Sequence, residues 1–300
     1  MIYTVTLNPS IDYIVQLEQV NIGELNYMDG DFKLPGGKGI NVSRILHELK
    51  MDTKALGFLG GFTGDFIAEW LKRDGIATDF TKIASDTRIN IKLKTNPETE
   101  INGKGPVIQS EEAEKLMAKL KAISSDDIVI LSGSKSPSLP ADFYERIIQE
   151  IEAQFVIDTT GDDLEKSLSY RPLLVKPNLQ ELEQLYSVKL TEEQDIIETG
   201  KRLIEAGARH AIVSMGADGA LLFTENAVYK GISPKGELKN SVGAGDSMVA
   251  GFIGECVKTK DIVQAFKMGL AAGSATAFSY DLAKADEINA LINQTTVTKL

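Results

Sequence analysis

Residues that bind transition metals are scarce in this chain of 300 residues, which contains one cysteine and two histidines. Cys256 cannot form a disulfide within the chain, and a single thiol cannot build a cysteine-based zinc site. This cysteine usage is typical of a reducing compartment. His47 and His210 leave little room for a histidine-rich metal centre, although they could still serve one catalytic triad.

Positive charge is also in short supply. The chain has 32 lysine and arginine residues against 43 acidic ones, so its formal net charge is −11 at pH 7. A nucleic-acid-binding domain usually carries a basic patch and has a high pI, so this balance argues against that class. An anionic substrate would have to be held by a few local positive groups.

Long hydrophobic runs are absent as well, since none approaches the roughly 18 residues of a transmembrane helix. The segment Met1–Leu7 has neither the basic lead nor the small-residue cleavage site of a secretory signal. We therefore expect a cytoplasmic protein. The composition of 43% hydrophobic and 25% charged residues is typical of a folded globular chain and excludes a disordered one.

Short apolar runs alternate with amphipathic helical patterns along the chain. Apolar residues recur at helical spacing at Val42, Ile45, Leu46 and Leu49. This alternation predicts one α/β domain with a mainly parallel sheet. Most of the predicted strands are continuously apolar, as in strands covered on both faces: Tyr3–Leu7, Lys54–Leu59, Ile128–Leu131, Phe155–Asp158, Leu173–Lys176 and Ala211–Ser214.

Two segments interrupt this rhythm. Ile14–Phe32 and Arg88–Val107 alternate between apolar and polar residues and contain no helical pattern. They predict a small β-sheet that forms a lid on the main domain, so residues 1–300 are expected to be a single domain with a lid at about 14–32 and 88–107.

The strongest local motif is Gly243-Ala244-Gly245-Asp246, which leads into a helix-compatible stretch. Glycines let backbone N–H groups approach an anion closely, and a helix N-terminus adds a partial positive charge. The segment is therefore a candidate phosphate or oxyanion site that Asp246 would face. The alternative is a glycine turn in which Asp246 only caps the helix, and taken alone the motif favours that alternative.

A second glycine-rich segment, Gly36-Gly37-Lys38-Gly39-Ile40-Asn41, precedes the first amphipathic helix. It is either another anion site or a loop with a solvated lysine. Neither segment fits the phosphate loop of nucleotide hydrolases. Neither has the third glycine of a dinucleotide fingerprint, because Val42 and Met248 occupy those positions. An NAD-dependent enzyme is therefore disfavoured.

Two further segments follow predicted strands, where open α/β sheets bind ligands. After Lys176, Asn178 and Glu181 lie on one face of a predicted helix, and the same pair fits a capping box. Ser214–Gly219 is either a hairpin turn or part of a nucleotide site.

Taken together and in this order, the four segments resemble the ribokinase-like carbohydrate kinase family, also called the phosphofructokinase-B family. Gly36–Phe66 is similar to the first family signature and Ser241–Phe252 to the second, and the resemblance covers nearly the whole chain. It implies a three-layer α/β/α sandwich with a mainly parallel central sheet and a small β-sheet lid. It also implies ATP, Mg²⁺ and a homodimer formed through the lid.

The resemblance implies that Asp246 is the catalytic base, and that the backbone N–H groups of the segment from Gly243 through Ala244 and Gly245 hold charge on the transferred phosphoryl group. An aspartate with the reference pKa of roughly 3.9 is a weak base. That suffices if proton transfer is late in a loose transition state. The acceptor sugar would be bound by Asp12, Gly37, Lys38, Asn41, Arg88 and Ser132.

Among these acceptor residues, Lys38 and Arg88 are the candidates for the phosphate that the sugar already carries. The alternative for Arg88 is a surface ion pair with Asp86. The nucleotide would be bound by Lys176, Asn178, Ser214, Gly216, Gly219 and Ser274, and Mg²⁺ by Asn178 and Glu181, mostly through water.

Within the family, Leu7–Asp12 and Gly36–Asn41 resemble the sugar-phosphate kinases, and Thr87–Leu93 resembles the members that phosphorylate fructose 1-phosphate. The expected reaction therefore transfers the γ-phosphoryl group of ATP to the 6-hydroxyl of fructose 1-phosphate. A kinase for tagatose 6-phosphate or fructose 6-phosphate, and a non-catalytic sugar-phosphate sensor, stay open as alternatives. Lys135 departs from the usual family pattern, and its role also stays open.

Overall fold

The computed structural model covers residues 1–300 and contains two β-sheets of unequal size. The large sheet has eleven strands, and the small sheet has four. The strands are β1 (Ile2–Thr6), β2 (Ser10–Gln16), β3 (Gly30–Gly36), β4 (Thr53–Gly60), β5 (Ala77–Thr78), β6 (Thr81–Ile83), β7 (Arg88–Lys94), β8 (Thr99–Asn102), β9 (Ile128–Ser132), β10 (Gln154–Asp158), β11 (Leu174–Val175), β12 (His210–Ser214), β13 (Ala220–Thr224), β14 (Val228–Ile232) and β15 (Thr296–Lys299).

The large sheet is parallel through its centre, where β1 lies between β4 and β9, and β10, β11 and β12 follow in order. All six strands predicted from apolar runs are present, because each is buried on both faces. The antiparallel strands β13, β14 and β15 extend the sheet beyond β12 and were not predicted. The carboxyl ends of the parallel strands therefore lie along one edge.

Ten helices cover the two faces of the large sheet. They are α1 (Lys38–Glu48), α2 (Gly61–Arg73), α3 (Ser110–Lys121), α4 (Phe143–Glu150), α5 (Asp162–Leu168), α6 (Leu179–Tyr186), α7 (Glu193–Glu205), α8 (Ala244–Thr259), α9 (Ile262–Ala277) and α10 (Ala285–Ile292). None of them combines the length and the apolar character needed to cross a membrane.

Two hydrophobic cores, one on each face of the sheet, make the fold a three-layer α/β/α sandwich. Helices α3 to α7 and the strands they cover share one core of 33 buried residues, and α1, α8, α9 and α10 share a second core of 25 with the opposite face. A smaller cluster of six residues includes Ile67 and Leu71 of α2. The apolar stripe Val42, Ile45, Leu46 and Leu49 belongs to the second core, as its helical spacing predicted. The predicted fold class is confirmed.

The small sheet has the strand order β3-β2-β7-β8 and overlaps the two segments with alternating residues, although β3 continues past Phe32 to Gly36. It begins at Ser10 rather than near Ile14, so Asp12 is a strand residue. Strand β2 pairs with β7 in parallel and places Asp12 beside Asn90, while β8 pairs with β7 and places Glu100 beside Lys92. Alternation along these strands gives the sheet one polar face and one apolar face.

Candidate active site

A cavity of about 630 Å³ lies between the carboxyl edge of the large sheet and the polar face of the small sheet. Only one of its 25 lining residues is hydrophobic, so the cavity suits a polar or charged ligand. It brings together most of the residues predicted from the sequence: Asp12, Gly37, Lys38, Asn41, Arg88, Ser132, Lys176, Asn178, Glu181, Ser214, Gly243, Gly245 and Asp246.

The N-termini of α1 and α8 meet at this cavity. Gly37 precedes α1 with φ 120° and Gly243 precedes α8 with φ 80°, which are conformations that favour glycine. A Cβ atom at Gly243 would also lie 2.5 Å from Leu282 Cδ2. The two glycine-rich segments are therefore tight helix starts of the kind that bind anions. In α8 the Ala244 N–H already donates to Ser241 O at 3.3 Å, and the N–H groups of Gly245 and Asp246 follow it in the first turn.

Asp246 lies in the first turn of α8, whereas Gly243 occupies the N-cap position and no side chain caps this helix. The alternative interpretation of Asp246 as an N-cap is therefore wrong. Its side chain instead accepts a hydrogen bond from the Asn41 amide, with 2.8 Å between Nδ2 and Oδ2. Asn41, predicted as a ligand for sugar hydroxyls, thus contacts and orients the carboxylate of Asp246.

Asp246 is only 6% exposed. Burial, together with the negative charge of Asp158, raises the pKa of the Asp246 carboxyl to about 6. This value lies well above the reference pKa assumed from the sequence. A carboxylate whose pKa is closer to neutral pH is a stronger proton acceptor, and it is still mostly ionised at pH 7.

Asp158, at the carboxyl end of β10, is a central residue of the site that the sequence predictions missed. Its Oδ1 atom lies 3.2 Å from Lys38 Nζ and 3.5 Å from Lys176 Nζ, and its side chain is 1% exposed. Burial opposes ionisation of this carboxyl, but the ammonium groups of Lys176 and Lys38 outweigh it, so the pKa of Asp158 is lowered. Its position at the end of a predicted strand was the signal that could have found it.

The ion pair with Asp158 raises the pKa of Lys38, which therefore stays charged. Four buried polar atoms around this cluster have no hydrogen-bond partner within the protein: Thr6 Oγ1, Asn8 Oδ1, Ser132 Oγ and Asp158 Oδ2. Native proteins satisfy most buried polar atoms, so this concentration of unpaired atoms fits a cavity that binds a polar ligand.

Asn178 and Glu181 form a reciprocal capping box at the start of α6, with both hydrogen bonds 2.8 Å long. The predicted helix cap is therefore present, and the two side chains also line the cavity. One oxygen of Glu181 is used by the cap, and the other is free of hydrogen bonds within the protein. No group of three or more His, Cys, Asp or Glu residues could hold a metal ion directly.

On the small sheet, the Arg88 guanidinium donates hydrogen bonds to the backbone oxygens of Gly103 at 2.8 Å and Asn8 at 3.0 Å. Its Nε atom is buried and has no partner, and burial lowers the pKa of Arg88. It forms no ion pair with Asp86, so that alternative is wrong. Arg88 is a cation at the cavity wall that no carboxylate neutralises by direct contact.

The remaining candidates lie outside the cavity lining. Ser274 is buried in α9, and Ala244 lies between two lining residues. Gly216 and Gly219 belong to the hairpin between β12 and β13, which confirms the turn interpretation of that segment. Gly219 has φ 90°, and a Cβ atom there would lie 2.0 Å from Gly231 O, so the hairpin itself requires this glycine.

Lys135 does not line the cavity. Its ammonium group forms an ion pair with Asp163 and lies 6.0 Å from the centre of the Tyr144 ring. Asp163 therefore neutralises the positive charge of Lys135, which follows β9 in the sequence.

A three-layer fold with a polar cavity at the carboxyl edge of its sheet is the architecture of the ribokinase-like kinases. The chain superposes on a ribokinase from Arabidopsis thaliana with a TM-score of 0.79 at 19% identity, covering 97% of this chain and 98% of that one. A family model described as pfkB family carbohydrate kinase matches residues 5–288. The chain belongs to the pfkB family of carbohydrate kinases.

Several relatives are similar over the full length of the chain. It is 48% identical to a 1-phosphofructokinase from Bacillus subtilis, with 100% of both chains covered. It is 36% identical to a D-tagatose-1-phosphate kinase from Bacillus licheniformis, again with 100% of both covered. It superposes on phosphofructokinase-2 from Escherichia coli in complex with fructose-6-phosphate with a TM-score of 0.91 at 26% identity, covering 98% of each chain.

Proposed function

We propose that this protein is a 1-phosphofructokinase, which transfers the γ-phosphoryl group of ATP to the 6-hydroxyl of fructose 1-phosphate and forms fructose 1,6-bisphosphate. The observation that carries the reaction type is the buried carboxylate of Asp246, with a pKa of about 6, at the start of α8 in a polar cavity. The full-length identity of 48% to the Bacillus subtilis enzyme supports the acceptor.

Asp246 acts as the general base in this proposal. Its carboxylate accepts the proton of the acceptor hydroxyl as that oxygen attacks the γ-phosphorus. The Asn41 amide holds one carboxylate oxygen and leaves the other free for the substrate. Positioned proton transfer of this kind typically contributes about 10²- to 10⁴-fold to the rate.

Three groups on the large-sheet side of the cavity stabilise the charge that develops on the transferred phosphoryl group: the N–H groups at the start of α8, the Lys38 ammonium and the Lys176 ammonium. The N–H groups of Ala244, Gly245 and Asp246 lie at the positive end of α8. Lys38 and Lys176 are held beside Asp158 on the same side of the cavity. We therefore assign Lys38 to the transferred phosphoryl group rather than to the phosphate that the sugar already carries.

Mg²⁺ fits the residues at the nucleotide side. The free oxygen of Glu181 and the neighbouring Asn178 would hold the ion through water, which agrees with the preference of Mg²⁺ for oxygen ligands and retained waters. Bound with ATP, the ion would neutralise charge on the phosphate oxygens. In the proposal, ATP is bound by Lys176, Asn178, Ser214, Gly216, Gly219 and Ser274.

The acceptor is bound by the small sheet and the start of α1. Arg88 would bind the 1-phosphate, because a guanidinium without a carboxylate partner can form a bidentate pair with phosphate. Asp12, Gly37 and Ser132 line the adjoining cavity and would contact the sugar. Closure of the small sheet over the sugar would exclude water from the reacting phosphoryl group.

A kinase for a tagatose phosphate is the second candidate, and the similarity to the D-tagatose-1-phosphate kinase favours it. The names of these two relatives point to a sugar 1-phosphate, whereas the sequence resemblance left tagatose 6-phosphate and fructose 6-phosphate open. A non-catalytic sensor is disfavoured, because Asp246 and both glycine-rich helix starts are intact.

The test is a coupled assay of ATP consumption with four acceptors: fructose 1-phosphate, fructose 6-phosphate, tagatose 1-phosphate and tagatose 6-phosphate. We expect the highest kcat/KM with fructose 1-phosphate. A higher kcat/KM with a tagatose phosphate would replace the proposed substrate, and no turnover with any of the four would overturn the proposal.

We also propose a homodimer formed through the small sheet, and a cytoplasmic location. The outer face of this sheet exposes Ile89 by 41% and Ile101 by 55%, and the loop between β2 and β3 exposes Ile22 by 90% and Leu25 by 75%. Exposed apolar surface on this scale marks an interaction site.

The dimer is tested by light scattering after size-exclusion chromatography. Ile101→Glu should convert a dimer to a monomer, because it would bury a charge in the interface. Val188→Glu, at an exposed position outside the small sheet, is the control and should leave the mass unchanged. A monomeric wild-type protein would contradict the proposal.

A further inference from the structure

Lys92 is a buried cation on the polar face of the small sheet, where its side chain lines the cavity. It lies on β7, between β2 and β8, and its side chain is 8% exposed. Its Nζ atom is 3.4 Å from Asp12 Oδ2 and 3.5 Å from Glu100 Oε1. An ammonium group is buried only when it has such partners.

The second oxygen of Asp12 is also held. Asp12 Oδ1 accepts hydrogen bonds from Ser10 Oγ at 2.9 Å and from Asn90 Nδ2 at 3.0 Å. A Cβ atom at Gly36 would lie 2.5 Å from the same oxygen, so β3 packs tightly against this side of the carboxylate. Neutral donors therefore fix Oδ1, and the cation Lys92 fixes Oδ2.

The charge balance separates Lys92 from Arg88. Lys92 lies between two carboxylates, so its charge is already compensated by Asp12 and Glu100. Arg88 contacts only neutral carbonyl oxygens through its hydrogen bonds. A phosphate group would be attracted more strongly to Arg88 than to Lys92, because the two carboxylates beside Lys92 would repel the phosphate.

We propose that Lys92 is a positioning residue for acceptor recognition, which acts by fixing the carboxylate of Asp12 against the sugar hydroxyls and does not itself bind the sugar's phosphate. This inference rests on the proposed function. It assigns the β7 strand two separate tasks: Arg88 binds phosphate at one end, and Lys92 orients the hydroxyl-binding carboxylate further along. A fixed carboxylate discriminates between hydroxyl arrangements better than a mobile one.

The experiment compares Lys92→Met, Lys92→Arg and the control Lys94→Met, which removes a more exposed lysine on the same strand that pairs with Glu98. Lys92→Met should raise the KM for the acceptor about tenfold, the size of coupling typical of contacting charged residues, and leave the KM for ATP unchanged. Lys92→Arg should restore most of the loss, because it keeps the charge. Lys94→Met should change neither constant.

A double-variant cycle with Asp12→Asn separates positioning from direct binding. If Lys92 acts through Asp12, adding Lys92→Met to Asp12→Asn should cost less than about twofold further. If the rise in the acceptor KM of the double variant equals the product of the two single rises, Lys92 acts independently of Asp12 and contacts the substrate directly. That result would overturn the proposal. So would an unchanged acceptor KM in Lys92→Met, or an equal rise in the KM values for both substrates. Thermal melting of each variant identifies a loss that comes from unfolding.

Direct titration of the wild-type protein with fructose 1-phosphate and tagatose 1-phosphate keeps this inference separate from the proposed function. Preferential binding of tagatose 1-phosphate would overturn the proposed substrate. The effect of Lys92→Met would then be measured on the affinity for tagatose 1-phosphate. A selective loss of that affinity would support the positioning role, and an unchanged affinity would overturn it.

Discussion

The two walls of the cavity are built differently. The wall on the large sheet carries Asp158 and Asp246, which are 1% and 6% exposed and lie against two hydrophobic cores. The wall on the small sheet belongs to four strands whose opposite face exposes Ile89 and Ile101. The charged groups that we assign to phosphoryl transfer thus lie on a layer packed on both faces, and those that we assign to acceptor recognition lie on a four-stranded sheet.

On the large-sheet wall, the groups in contact with two buried aspartates shift the pKa values of their carboxyls in opposite directions. Asp158 has two ammonium groups within 3.5 Å, and they lower its pKa despite burial. Asp246 has an amide donor and no ammonium contact, so burial raises its pKa to about 6. One carboxylate is a counter-ion for two lysines, and the other has the raised pKa that suits the proposed role of base.

The largest expected effect comes from replacing Asp246, the proposed base. Asp246→Asn should lower kcat by about 10²- to 10⁴-fold, because the amide cannot accept the proton of the acceptor hydroxyl. The KM for ATP should change little. Steady-state kinetics test this, with Asp126→Asn, at an exposed position in the turn between α3 and β9, as the control. Near-normal turnover would remove Asp246 from the role of base.

Arg88→Ala tests the opposite wall. It should raise the KM for the acceptor by about 10- to 100-fold, as expected for loss of a charge-assisted hydrogen bond, with the KM for ATP nearly unchanged. Lys38→Ala, on the large-sheet wall beside Asp158, should instead act mainly on kcat. If the two variants gave the same pattern, the division of tasks between the walls would be incorrect.

The pH dependence sharpens the comparison between the two aspartates. Asp246 must be ionised to accept a proton, so kcat/KM should rise with pH through a midpoint near the pKa of about 6 and be lost below it. Asp158→Asn removes a negative charge that contributes to this raised pKa and leaves Lys38 and Lys176 uncompensated. The midpoint should therefore move to lower pH. A pH–rate profile of both proteins checks the direction, and a shift to higher pH would contradict the assignment.

The smallest effect is expected from Lys135→Ala. Because this lysine is paired with Asp163 outside the cavity lining, its removal should change kcat and both KM values by less than about twofold, as is usual for pairs near the surface. A selective rise in the KM of one substrate would show that Lys135 reaches the ligand in the closed state.

Much of the fold was predictable because local patterns and tertiary packing agree. Apolar runs such as Phe155–Asp158 and the stripe of α1 report burial directly. The strands β14 and β15 are mostly exposed or half-buried and have no continuous apolar signature, so they were not predicted. Strand β13 was missed although Ala220–Phe223 is a buried apolar run. The small sheet was predicted from alternation, but its start at Ser10 depends on pairing with Arg88 across 78 residues.

Some residues of the candidate site could also be identified from local sequence patterns, whereas others could not. Glycine-rich helix starts are local, so Gly37 and Gly243 could be identified from the sequence. Lys92 could not, because nothing in the residues beside it distinguishes a site residue from a strand residue. Asp158 was indicated only by its position at the end of a predicted strand. Arg88 was found, yet its contacts with Asn8 and Gly103 in place of Asp86 required the folded chain.

The sequence by itself determined the alternation of strands and helices, the two glycine-rich helix starts and the presence of Asp246 at the second of them. Only the tertiary structure decided which groups the charged side chains of the site contact and in which direction their pKa values shift. Lys38 meets Asp158 across 120 residues, and Asn41 meets Asp246 across 205. Burial and such distant pairs set the pKa of a carboxyl, because the electrostatic free energy of a charge depends on its three-dimensional surroundings and not on its neighbours in the chain.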